Sequence, residues 1–125
     1  MKTNLKIAAA FVAVAALGLA GCSSSTDSAE PSFKACQVTD TGGVDDKGFN
    51  QTAYKGVTDA AEQLGIQGSV LESQAETDYA TNIQSFVDQG CNIIITVGFL
   101  LGDATATAAN ANPTVPFSIV DYAYD

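Results

Sequence analysis

From Phe33 onward, short strand-like runs alternate with longer stretches that carry the 3.6-residue apolar spacing of a helix, and this alternation limits the folds open to the chain. Lys34 to Thr39 reads as strand one. Asp45 or Asp46 can cap a helix from about Lys47 to Leu64, with Phe49, Ala53, Val57, Ala60, Ala61 and Leu64 on its apolar stripe. Gly65 stands where a left-handed residue closes a helix. Strand two is short, Ser69 to Glu72. Helix two starts at Thr77 or Asp78, carries Tyr79, Ile83, Phe86 and Val87 inward, and ends at Gly90. Strand three is Asn92 to Val97. Its run Ile93-Ile94-Ile95 is β-branched throughout, which suits a strand covered on both faces. A turn from Gly98 to Gly102 leads to an Ala/Thr-rich third helix that stops near Pro113, and Val115 to Val120 is strand four.

This order predicts an α/β fold: a parallel, doubly wound sheet with helices on both faces and right-handed crossovers. If strand one lies between strands two and three, Cys36 and Cys91 begin neighbouring strands at similar height, within bridging reach. A disulfide is then expected, and two buried free thiols are the other reading.

The N-terminus has a different character. Lys2 and Lys6 precede a charge-free apolar run from Ile7 to Leu19. A bilayer-spanning helix needs about 20 apolar residues, so this run fits the core of a secretion signal better. It closes on Leu19-Ala20-Gly21-Cys22, which resembles the bacterial lipobox, with the Cys22 thiol as lipid carrier. An ordinary secretory signal with a chance cysteine is the plainer alternative. The polar stretch 23–32, rich in serine, reads as a flexible tether. The expected organisation is therefore a signal over 1–22, a tether over 23–32 and a folded part over 33–125. The expected location is the extracytoplasmic face of the cell membrane, through the lipid anchor.

Charge excludes several functions. All 14 acidic residues lie after Cys22 with only three of the five lysines, a net charge of −11 there, and neither Arg nor His is present. Without a basic patch, nucleic acid and phosphate ligands are poor candidates. A histidine metal site or catalytic dyad is impossible. The acidity itself favours solubility.

In open α/β sheets, ligands bind beyond the carboxyl ends of the strands. Asp40 ends strand one, Gly98-Phe99 ends strand three and Asp121 ends strand four. The loop Thr39 to Gln51 crosses the same edge and adds Phe49 and Asn50. An aromatic face beside amide and carboxylate groups suits a flat heterocycle attached to a polyol. Plainer roles compete at several positions. Phe49 also falls in the stripe of helix one. Asp45 and Asp46 suit a helix start. Phe99 can pack the turn, and Asp103 can cap helix three. Asn50 has the least structural reason to be where it is.

The stretch Asp40-Thr41-Gly42-Gly43-Val44-Asp45-Asp46-Lys47-Gly48-Phe49-Asn50-Gln51 resembles the signature of the BMP (basic membrane protein) lipoproteins, the PnrA-like substrate-binding proteins of nucleoside ABC importers. Val97 to Ala104 and Phe117 to Asp121 resemble that family's next two blocks, in order. Gly48 departs from the pattern, where Ser is common. The resemblance implies a type I periplasmic-binding-protein-like lobe that closes with a second lobe around its ligand. It implies that Phe49 stacks on a purine, that Asn50 and Asp40 face the ligand, and that Asp121 lies at the same cleft, with Gly98 and Phe99 beside it. The implied protein is no enzyme and uses no cofactor or metal. It captures a purine nucleoside and passes it to an ABC permease.

A sugar or other small polar ligand in the same fold is the alternative. A Mg²⁺-dependent phosphoryl site built on strand-end acids is a third reading. The lipobox and the lack of a basic residue for a phosphoryl group oppose it. The sequence ends at Asp125 directly behind strand four, where an open sheet would leave an apolar edge. The expectation is the N-terminal part only of the first lobe.

Overall fold

The computed structural model describes residues 33–125. The expectations for the signal, for lipid attachment at Cys22 and for the tether fall outside the described residues.

Four strands and three helices alternate: β1 (Lys34–Thr39), α1 (Phe49–Leu64), β2 (Gln67–Glu72), α2 (Tyr79–Asp88), β3 (Ile93–Val97), α3 (Gly102–Ala111) and β4 (Phe117–Val120). The strands form one parallel sheet in the order β2-β1-β3-β4. The fold is thus the expected parallel α/β sheet. The chain moves outward from β1 to β2, then crosses back to β3 on the other side. The direction of winding reverses between β1 and β3, which makes that gap the topological switch point.

The register levels the strand ends. Thr39 lies opposite both Glu72 and Val97, and Val97 opposite Val120. Asp40, Gly98 and Asp121 therefore leave the sheet along one line.

Side chains alternate between the two faces of a strand. On one face Cys36, Val38 and Ile94 join Tyr79, Ile83 and Phe86 of α2 and Leu101 in the main core cluster. Helix α3 covers the same face, where Thr105 and Thr96 share a hydrogen bond between hydroxyls (2.8 Å). A disulfide links Cys36 and Cys91, with Cα atoms 6.1 Å apart. Closing a loop across 55 residues removes entropy from the unfolded chain.

The opposite face carries α1 alone. Val57 is the one fully buried apolar residue of that helix, and it packs near Gly68 of β2. Two members of the expected stripe lie outside the core: Leu64 is 71% exposed and Phe49 59% exposed. A single helix on the sheet can bury only its central turns, so the ends of the stripe reach solvent.

Element ends also move. Helix α1 begins at Phe49, two residues later than Lys47, because the loop before it bonds to Asp46 and is not yet helical. A 3₁₀ turn over Glu76–Asp78 precedes α2. β2 starts earlier than expected, at Gln67, and β4 later, at Phe117. Among the described residues no helix is long and apolar enough to cross a membrane.

Candidate ligand-binding site

The switch point is built on two main-chain bonds. Asp40 N–H donates to the Val97 carbonyl (3.1 Å), and Gly98 N–H to the Val120 carbonyl (3.1 Å). These hold the exits of β1, β3 and β4 side by side.

Asp40 is the polar centre of this edge. Its Oδ1 accepts from Asn50 Nδ2 (2.7 Å) and from Gly42 N–H (3.0 Å). Its other carboxylate oxygen lies over Gly98. A Cβ at position 98 would stand 2.8 Å from the Asp40 Cγ, and Gly98 has φ +111°. Only glycine combines that backbone with that proximity.

Asp46 forms the start of α1. Its carboxylate accepts from the N–H groups of Gly48 (2.8 Å), Asn50 (3.0 Å) and Gln51 (3.0 Å). The bonds from Gln51 and Gly48 lead in holding its pKa below the ordinary 3.8. Both Asp45 and Asp46 are exposed, but it is Asp46 that accepts these three amides, so of the two candidate caps Asp46 takes the role. Glu72, the last residue of β2, holds the loop from the other side by accepting from Val44 N–H (3.0 Å).

Phe49 stands at the first position of α1 with its ring largely in solvent. It borders an apolar cavity of about 490 Å³ shared with Gly48, Thr52, Ala53 and Val120. Phe99 is also exposed, at 60%. Asn50 lies beneath the surface: it is 2% exposed, its Nδ2 is spent on Asp40, and its Oδ1 is buried without a partner. Asp121 is exposed and holds φ +68°, a left-handed value uncommon outside glycine. Tyr122 behind it packs its ring against Gly102, and Tyr124 donates from its hydroxyl to the Gly102 carbonyl (2.8 Å).

The edge thus gathers Asp40, Asn50, Phe49, Gly98 and Asp121. It offers an exposed aromatic face and a half-buried carboxylate with one oxygen free of protein donors. Hydrogen bonding to a polyol or ring N–H and stacking on a flat ring are within its chemistry. Among the described residues no group of three His, Cys, Asp or Glu side chains is arranged to hold a metal ion.

Three contributors were not singled out from the sequence. Gln37, fully buried in β1, donates from Nε2 to the Asn50 carbonyl (3.1 Å). Its signal was a polar residue inside the otherwise apolar run Ala35-Cys36-Gln37-Val38. Glu72 gave no signal, because its partner is a distant main-chain N–H. Tyr79 was read as core, and it is buried, but its hydroxyl has no hydrogen-bond partner. Burial first, and then the Asp40 charge, push its pKa above the ordinary 10.0.

Residues 33–125 match the model of a family described as ABC transporter substrate-binding protein PnrA-like. The chain is 35% identical over 125 residues to the ABC transporter nucleoside-binding protein BmpA of Lactococcus lactis subsp. cremoris, covering 92% of this chain and 36% of that protein. It is 32% identical to a CD4+ T-cell-stimulating antigen of Listeria monocytogenes, covering 99% of this chain and 38% of that protein. The chain therefore spans well under half the length of these curated relatives. Among solved structures it is similar to an ABC transporter system solute-binding protein from Aeropyrum pernix K1 (TM-score 0.67, 26% identity, 73% of this chain and 25% of that one). A fragment from Peptoclostridium difficile 630 shares the fold (TM-score 0.68, 24% identity, 74% of this chain and 76% of that one). With the family model matching the whole described region, the chain belongs to the family of PnrA-like ABC transporter substrate-binding proteins.

Proposed function

We propose that this chain forms one wall of the nucleoside site of a membrane-anchored, extracytoplasmic binding protein that passes purine nucleosides to an ABC permease. Cys22 is the lipid attachment point in this reading, and the polar stretch 23–32 joins it to the binding domain. The observation that carries the ligand assignment is the exposed Phe49 ring at the first position of α1, next in the chain to Asn50, whose amide holds the Asp40 carboxylate at the switch point. The ring stacks on the base, and the carboxylate accepts from a base N–H or a ribose hydroxyl. A relative named as a nucleoside-binding protein supports the same ligand class. Binding, not catalysis, is the role in this reading, as its family of ABC transporter substrate-binding proteins supports.

A single wall leaves much of a nucleoside in water, so affinity for this chain alone is weak. Amide NMR of the chain titrated with adenosine, guanosine and ribose tests the reading. Both nucleosides are expected to shift the resonances of Asp40, Phe49, Asn50 and Gly98, and ribose alone to leave them in place. An equal response to ribose points to a sugar ligand and overturns the nucleoside assignment. So does the absence of any response. Tight binding by calorimetry overturns the single-wall account.

A further inference from the structure

Gln37 sits at 0% exposure on the central strand, on the face that α1 covers. An amide buried there is costly unless its groups are paired. Only one side of it is paired. Nε2 donates to the Asn50 carbonyl, one residue into α1, while Oε1 has no partner. Turning the amide over does not help, because it would set Oε1 against the Asn50 carbonyl, acceptor against acceptor. The same logic fixes Asn50. Its Nδ2 must face the Asp40 carboxylate, which leaves Oδ1 buried and unpaired. A directed chain of donors runs from the sheet interior to the site: Gln37 to Asn50, Asn50 to Asp40.

An apolar side chain of similar length would remove the unpaired Oε1 of Gln37 but also its donor to the Asn50 carbonyl, two effects on stability of opposite sign. What it could not do is hold the first turn of α1 from below. We propose that Gln37 is a positioning residue for the ligand cleft, fixing the first turn of α1 so that the Asn50 amide reaches Asp40 and the Phe49 ring stands at the edge. The part concerning ligand rests on the nucleoside reading above. The part concerning the helix start does not.

The test uses Gln37→Met and Gln37→Leu in the full chain. Four properties are read: thermal melting, amide hydrogen exchange, the side-chain NH₂ resonances of Asn50, and the response to adenosine. Both variants are expected to melt near the wild-type temperature. The amides of Asn50, Gln51 and Thr52, held by Asp46 and Gly48, are expected to exchange about ten-fold faster, the equivalent of one hydrogen bond. Those of α2 should keep their rates. The Asn50 NH₂ pair should lose the shift that its bond to Asp40 imposes, and the wild-type response to adenosine should weaken. Unchanged first-turn exchange and unchanged NH₂ shifts in both variants overturn the proposal. So does a loss of melting temperature with α1 and α2 loosening together, which marks Gln37 as ordinary core. If wild type ignores adenosine while the variants still loosen the first turn, the nucleoside reading fails and the positioning role stands.

Discussion

The two faces of the sheet are built for different ends. The α2/α3 face holds the disulfide and a continuous apolar cluster, with Phe86 at 2% exposure. That face also buries hydroxyls, Thr96 and Thr105 bonded to each other and Tyr79 without a partner, but the α1 face buries two whole amides, Gln37 and Asn50, and leaves both their oxygens unpaired. Each unpaired buried acceptor costs free energy that an apolar residue would not. Stability is concentrated on one face, while polar groups that serve the edge are tolerated on the other.

Two phenylalanines separate the faces most sharply. Phe86→Ala should cost about 3–5 kcal/mol of unfolding free energy, because the cavity opens inside a closed core. Urea denaturation measures it, and a cost near zero would break the contrast. Replacing both Cys36 and Cys91 with alanine should cost roughly 2–4 kcal/mol, toward the upper end for so long a loop. The same measurement on the wild-type chain with and without reductant gives a second value. Gly98→Ala probes the edge where the faces meet. A left-handed backbone and the contact with Asp40 together predict a loss of roughly 1–3 kcal/mol, and a displaced Asp40 visible in the Asn50 NH₂ shifts.

Phe49→Ala should change stability by less than about 0.5 kcal/mol, since its ring is in solvent. It should weaken the adenosine response by roughly 1–3 kcal/mol, the scale of one base stacked on one aromatic. A variant that loses stability but keeps the wild-type adenosine response would reverse the assignment. The smallest effect is expected from acid. Asp46 has a folded pKa below 3.8, so its stabilisation of the helix start is complete above pH 3.8 and is lost as pH falls through the folded value. The Gly48, Asn50 and Gln51 amides should report that loss in an NMR pH series, and Asp46→Asn should remove the dependence.

Much of this was legible in the sequence. The strand and helix order follows from period alone, and the β-branched run of β3 already demanded cover on both faces. Asp40, Gly98 and Asp121 were legible as strand-end residues because a parallel sheet always sends its carboxyl ends to one edge. The reach of the α1 stripe was not legible. Periodicity says which residues share a face, but how much of Phe49 and Leu64 is covered depends on what lies opposite. The direction of Asn50 was hidden for a related reason. Its place in the first turn was readable, but the carboxylate that claims its amide comes from another element.

The sequence by itself determined the order of elements, the parallel sheet, the edge where a ligand would sit and the family resemblance. These depend on local periodicity and on residues close together in the chain. Only the tertiary structure decided the exposure of Phe49, the pairing of Asn50 with Asp40 and the support from Gln37 and Glu72. Those depend on distances between strands and loops that no local pattern encodes. A glutamine in an otherwise apolar strand acquires its meaning only in the fold, which buries it and supplies the Asn50 carbonyl that receives its donor.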